Sequence, residues 1–194
     1  MVENSQHPPF DIVLDWLTEH EAVTCWEHLL TLPWQDEHLT LFGRRQRMPR
    51  QVVWIADAGM HYRYANQDHV PYPWTKALLK LRMRLQQTLA VDFNGVLGNY
   101  YHHGQDYMGW HSDDEPSISQ IHPIASLSLG AARRFKFRSK KDHRMVTDVW
   151  LPEGSLLVMH PGMQHEWQHT LPKMTQLVEP RINLTFRVVR PTSK

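Results

Sequence analysis

The sequence predicts a mainly β fold with flanking helices, and three observations carry that expectation. From about residue 93 the chain breaks into short runs of strand character separated by turn-rich pieces. Before that point, two segments carry apolar residues at helical spacing. No internal repeat or low-complexity tract divides the 194 residues, so one domain over 1–194 is expected, with a helical lead-in over 1–92 and a β core over 93–190.

The elements follow in order. Thr18 and Glu21 have capping-box spacing, and Ala22, Trp26, Leu29 and Leu30 then recur at helical intervals, giving a helix over about 19–31 that stops near Pro33. A second helix is expected at about 75–89. Leu78, Leu81 and Leu85 form one face, and Lys76, Lys80, Arg82 and Arg84 surround it. The strands read FNGVLGNYY, PIASLSL, RRFKFR, TDVWL, GSLLVM and RINLTFRVV, with HHGQD, LPEG and HPGM among the turns. Many short strands at close spacing favour a sandwich or barrel over a parallel sheet.

Hydrophobic residues make up 41% and charged residues 21%, an ordinary balance for a globular chain. No apolar run approaches the roughly 20 residues of a membrane span. MVENSQHPPF lacks the basic and apolar regions of a secretory signal, and the single Cys25 excludes an internal disulfide, so a cytoplasmic location is expected. The net charge of +1 does not by itself demand a polyanionic partner. Its distribution says more: RRQRMPR (44–50) and RRFKFRSKKDHR (133–144), with Phe42, Phe135 and Phe137 alongside, read either as solvated faces or as a nucleic-acid surface.

WHSDDEPS (110–117) puts His111 and Asp113 two residues apart. On a strand both side chains would share a face and reach one ion through an imidazole nitrogen and a carboxylate oxygen. A third ligand must come from elsewhere, and spacing leaves His160, His165 and His169 open. In RINLTFRVV, Arg181, Asn183, Thr185 and Arg187 alternate with Ile182, Leu184, Phe186 and Val188. If the polar face points inward, its arginines need an anion, and a carboxylate is the strong partner. Asn99 and Tyr101, also two apart, add an amide and a phenol. Two histidines and one carboxylate leave open positions of the kind found in non-haem Fe(II) oxygenases, where a 2-oxoacid chelates and O₂ binds beside it.

At this point the chain resembles the AlkB family of Fe(II)/2-oxoglutarate-dependent dioxygenases, which repair N-alkylated bases. LFGRRQRMPR, WHSDDEPS, PIASLSLGAARRFKFR, GSLLVM, WQHTLP and EPRINLTFR occur in the family's order between about 41 and 190. The resemblance implies a double-stranded β-helix (jelly roll), with Fe(II), 2-oxoglutarate and O₂ as its reagents. It implies His169 as the third iron ligand beside His111 and Asp113. Asn99, Tyr101 and Arg181 would then hold the far carboxylate of 2-oxoglutarate, and Asn183 and Arg187 its chelating end.

The same resemblance gives the lead-in a nucleotide-recognition role. Tyr62 and Tyr64 resemble the wall on which a flipped base stacks, Glu115 the residue facing its exocyclic amine, and Phe42 a finger inserted into duplex DNA. Asp114 reads as a structural neighbour, and residues 1–35 receive no function. The implied reaction is oxidative demethylation of bases such as 1-methyladenine and 3-methylcytosine, in alkylated single- or double-stranded DNA or in RNA, with no membrane and no obligatory protein partner. Two alternatives stand beside it: the same oxygenase chemistry on another substrate, and a nucleic-acid-binding barrel without turnover.

Overall fold

The computed structural model describes residues 7–41, 43–60, 62–64, 67–176 and 178–190, with the backbone alone at 39–41, 62–64 and 67–69. In chain order the elements are β1 (Phe10–Val13), α1 (Glu19–Leu30), β2 (Gln35–Leu41), β3 (Arg44–Ala56), β4 (Tyr62–Tyr64), β5 (Gln67–His69) and α2 (Lys76–Leu89). There follow β6 (Gly95–Tyr101), β7 (Met108–His111), β8 (Ile124–Gly130), β9 (Arg133–Ser139) and β10 (Val146–Leu151). The last are β11 (Leu156–Met159), α3 (Met163–Glu166), β12 (Trp167–Leu171) and β13 (Arg181–Arg187).

Two antiparallel sheets form the jelly roll. The major sheet runs β1-β11-β8-β13-β6-β3-β2 and the minor one β10-β9-β12-β7, with β4-β5 a separate hairpin. Both expected helices form. Thr18 accepts from the Glu21 amide while the Glu21 carboxylate accepts from Thr18 N–H, the reciprocal pair that satisfies two donors at the start of α1. Thr75 caps α2, which ends at Ala90 in the left-handed region. No helix among the described residues is long and apolar enough to cross a membrane.

The lead-in differs from the expected helical segment, because it also supplies β1, β2 and the 13-residue β3 to the major sheet. Arg44, Arg45 and Arg47 of the basic run are exposed at the outer end of β3, whereas Arg50 is buried and opens the buried half that continues through VVWIA. Length decides this outcome: the 13-residue strand runs past β6, so its outer end pairs with β2 alone and stays polar, while residues 51–56 lie between β2 and β6 or against β6 in the core.

β13 lies between β8 and β6, so it is a central strand and its two faces meet different surroundings. Ile182, Leu184 and Phe186 join the apolar layer with Leu29 of α1 and Leu78 and Leu85 of α2. The polar face looks toward the space between the sheets. Phe137, Leu151, Leu157 and Trp167 belong to a second apolar cluster. Gly98 on β6 is required by close packing, since a Cβ there would fall 2.7 Å from Val53 Cγ1 and 2.8 Å from the Trp34 ring.

Candidate metal centre and oxoacid pocket

His111 ends β7 and His169 sits opposite it on β12, so the register of the minor sheet itself brings the two imidazoles together. Their ring centroids are 4.2 Å apart, and Phe135 of β9 stacks on His169 at 5.4 Å. Asp113 lies two residues beyond the end of β7, in the loop and not on the strand as expected. Gln164 supports it there: its side-chain oxygen accepts from the Asp113 amide at 3.0 Å. One donor atom from each of His111, Asp113 and His169 falls within 4.8 Å of the others. His160 and His165 are elsewhere. His160 bonds Asp11 at 2.8 Å and His165 is exposed.

The protonation states suit a divalent cation. His111 bonds the Gly109 carbonyl through Nδ1 at 2.8 Å, which makes that nitrogen the donor and leaves Nε2 toward Asp113, 3.7 Å from its Oδ1. Burial pushes the His169 pKa down to about 3, with the neighbouring His111 acting in the same sense, and burial lowers that of His111 as well. Burial opposes ionisation of Asp113, yet Arg187, His169 and His111 together hold its carboxyl below the usual range. Two neutral imidazoles and one carboxylate are therefore presented. Among the described residues, His169 Nδ1 is buried without a hydrogen-bond partner. That donor set and that orphaned nitrogen fit a non-haem iron.

A cavity opens beside the cluster, and Arg50, Asn99, Tyr101, Asn183 and Arg187 are among the residues lining it. Arg187 pairs with Asp113 at 2.6 Å. Asn183 donates to Ser126 Oγ at 2.8 Å and accepts from Thr185 at 2.9 Å, so its orientation is set from both ends. Arg181 is 1% exposed and bonds Ser128 Oγ at 2.8 Å, while its Nε is buried without a partner among the described residues. It is not among the residues lining the cavity, and burial pushes its pKa down to about 10. A buried cation of this kind favours an incoming anion, and a dicarboxylate meets that need.

The basic run 133–144 divides its work. Arg133 is fully buried and donates to the carbonyls of Asp106 at 2.9 Å and Pro172 at 2.8 Å, tying the β6–β7 turn to the end of β12. Phe135 and Phe137 face inward, against His169 and the core, and are not part of a nucleic-acid surface. Arg134, Lys136 and Arg138 point outward, with Arg138 over the Trp110 ring at 4.4 Å. Asp114 pairs with Lys140 at 2.9 Å, the structural neighbour that was expected.

Glu115 lies in the loop beyond Asp113 and is not among the lining residues. Tyr62 and Tyr64 are on β4, where their backbone pairs with His69 and Gln67. Phe42 lies outside the described residues. Sequence reasoning missed Arg50 and Gln164. Arg50 had a faint signal, being the last charge before the apolar VVWIA; Gln164 had none.

A jelly roll with a His-Asp-His cluster, its Asp113 and His169 buried and its His111 half-buried, and with cations facing its interior, defines a class of non-haem iron oxygenases. Residues 10–187 match the family model of the 2OG-Fe(II) oxygenase superfamily. The chain is 39% identical over 161 residues to the DNA oxidative demethylase ALKBH2 of Mus musculus, covering 79% of this chain and 67% of that one. It is 36% identical over 186 residues to the alpha-ketoglutarate-dependent dioxygenase alkB homolog 3 of Homo sapiens, covering 91% and 62%. The fold matches the OsALKBH1 structure with a TM-score of 0.66 at 15% identity, covering 94% of this chain and 97% of that one. The chain belongs to the 2OG-Fe(II) oxygenase superfamily and, within it, to the AlkB family. It spans 58–67% of the length of the first curated relatives it matches.

Proposed function

We propose that this chain is an Fe(II)/2-oxoglutarate-dependent dioxygenase that repairs alkylated nucleic acid by oxidative demethylation of N-methylated bases, 1-methyladenine and 3-methylcytosine among them. The observation that carries the reading is the cluster of half-buried His111 with buried Asp113 and His169, beside a cavity lined by residues that include Asn99, Tyr101, Asn183 and Arg187. The named activity of the ALKBH2 relatives supports the choice of substrate.

In this reading His111, Asp113 and His169 hold the iron. With 2-oxoglutarate and O₂, that iron supplies hydroxylation of the N-methyl group, coupled to release of succinate and CO₂; the hydroxymethyl product then loses formaldehyde. The protein's own part is placement. Arg187 keeps Asp113 ionised and turned so that Oδ1 faces His111. Asn99, Tyr101 and Arg181 take the far carboxylate, and Asn183 and Arg187 take the chelating end.

A methyl on the Watson–Crick edge cannot reach a buried site from within a duplex, so the base must be extruded. Tyr62 and Tyr64 then stack on it and Glu115 accepts from its exocyclic amine. Phe42 fills the gap left in the duplex, and the exposed Arg44, Arg45 and Arg47 hold phosphates beside it. Alkylated DNA, or RNA, is the partner this arrangement serves.

The test is succinate formation under Fe(II), ascorbate and 2-oxoglutarate, with and without a methylated oligonucleotide. Succinate rising in step with formaldehyde only when the methylated strand is present is the expected result. Equal succinate with methylated and unmethylated strands, and no formaldehyde, overturns the choice of substrate.

A further inference from the structure

We infer that Arg50 is a positioning residue for 2-oxoglutarate: it locks the carboxamide of Asn99 so that the amide presents a donor to the oxoacid. The inference rests on the reading that Asn99 contacts the co-substrate. Arg50 Nε donates to Asn99 Oδ1 at 2.7 Å in a fully buried contact. A guanidinium has only donors, so the amide end that faces it must be the oxygen. The NH₂ end of Asn99 is then left to meet what enters the cavity, and a carboxylate needs a donor there.

Without Arg50 the amide has two orientations, and one of them sets oxygen against the carboxylate. Arg50 is itself held by Glu37, whose Oε2 lies 3.3 Å from Nη2 across the β2–β3 hairpin. Both side chains are nearly buried, at 2% and 10% exposure, so the pair is not a solvent-screened surface contact. Arg50 Nη1 is buried with no partner among the described residues. Arg50 also lines the cavity that His111 and Arg187 line. A buried cation with an unspent donor, beside a site that takes a dicarboxylate, is an arrangement an anion completes. The placement on β3 has a consequence: the strand whose outer end carries Arg44, Arg45 and Arg47 fixes, at its buried half, an amide of the oxoacid pocket.

The experiment is titration calorimetry of 2-oxoglutarate into the full chain loaded with Mn(II), which fills the metal site without turnover. Wild type, Arg50→Met, Asn99→Ala and the double variant are compared, each with its Mn(II) affinity and melting temperature. Arg50→Met is expected to weaken 2-oxoglutarate binding about tenfold, the scale of one charge-assisted hydrogen bond, with Mn(II) affinity unchanged. In the Asn99→Ala background the same substitution is expected to add little, because it acts through that amide. An unchanged affinity in a folded Arg50→Met, or fully additive losses in the double variant, overturns the inference. Should Arg50→Met fail to fold, Arg50→Lys decides. One ammonium cannot hold Glu37 and Asn99 together, so affinity drops severalfold, and an unaltered affinity counts against the role. Wild type that binds Mn(II) but no 2-oxoglutarate overturns the proposed function and this inference with it; wild type that binds while the variants bind equally well overturns this inference alone.

Discussion

Arg187 and Asp113 meet at 2.6 Å between Nη2 and Oδ2, with their side chains 4% and 5% exposed, although 74 residues separate them in the chain. The contact joins the last strand of the major sheet to the loop that follows β7 of the minor one. It takes one carboxylate oxygen and leaves the other, Oδ1, 3.7 Å from His111 Nε2. Arg187 therefore belongs to the metal centre as much as to the oxoacid pocket, which the alternation of β13 alone did not reveal.

That shared duty separates the two arginines of β13. Arg187→Met leaves Asp113 buried without its guanidinium partner, at a cost of about 3–5 kcal/mol by analogy with other buried pairs. The Asp113 carboxyl then rises from its depressed range, because burial is no longer opposed by Arg187, and a proton competes with the metal. Arg187→Met is expected to weaken both Mn(II) and 2-oxoglutarate binding and to lower the melting temperature. Arg181→Met is expected to weaken 2-oxoglutarate alone. Calorimetry with each ligand checks this, and a metal affinity untouched in Arg187→Met would remove the arginine from the metal centre.

The ligand set gives a second expectation. His111→Ala, Asp113→Ala and His169→Ala each remove one of three donors and are expected to abolish Fe(II) binding and turnover. His160→Ala is expected to keep most activity, since that imidazole bonds Asp11 at the β1–β11 edge; so is His165→Ala, an exposed position. Metal content after dialysis, read beside activity, decides the assignment. Loss of iron in His165→Ala with iron retained in His169→Ala would reverse it.

Much of this centre was legible in the residues, and the reasons differ. The polar face of β13 could be read because period-two alternation is a local property that survives folding, and a central strand has nowhere to put two arginines but a polar interior. The helices could be read because their caps and apolar faces lie within a few residues of each other. His169 could not be chosen from spacing; its place depends on the β12–β7 register, a long-range pairing that the family's motif order implied and no local pattern contains. Arg50 was hidden among four arginines of one run, and only the passage of β3 into the core separates it from the other three. Arg133 was masked in the same way, since full burial follows from the carbonyls of two distant turns.

Glu115 follows Asp113 by two residues and lies outside the oxoacid cavity. A role at the substrate side predicts a clean division of effects. Glu115→Ala is expected to keep Mn(II) and 2-oxoglutarate affinity within about twofold, while turnover of 1-methyladenine and 3-methylcytosine oligonucleotides falls by about tenfold, as for loss of one hydrogen bond to a charged group. Mass spectrometry of singly modified oligonucleotides gives the turnover. A variant that no longer binds metal would make Glu115 part of the centre's support instead.

The two ligand histidines set the proton balance of metal binding. An ordinary imidazole of pKa about 6.5 is roughly three-quarters protonated at pH 6, so two such ligands would release about 1.5 protons when a metal displaces them. Here burial pushes His169 down to about 3, so that imidazole is already neutral in the folded metal-free site at pH 6, and burial lowers His111 as well. Mn(II) binding at pH 6 is expected to release no more than about half of those 1.5 protons, read from calorimetric enthalpies in two buffers of different ionisation heat.

The same shift fixes the sign of the acid response. For His169, between pH 6.5 and about 3 the unfolded chain binds a proton that the folded chain does not, so the stability of the metal-free protein falls as pH falls through that window. Release of about 1.5 protons at pH 6, together with a melting temperature flat from pH 7 to 5, would show that these imidazoles titrate as if in water. His169 would then be open to solvent, and not the buried, already deprotonated ligand that the register of β12 against β7 places beside His111.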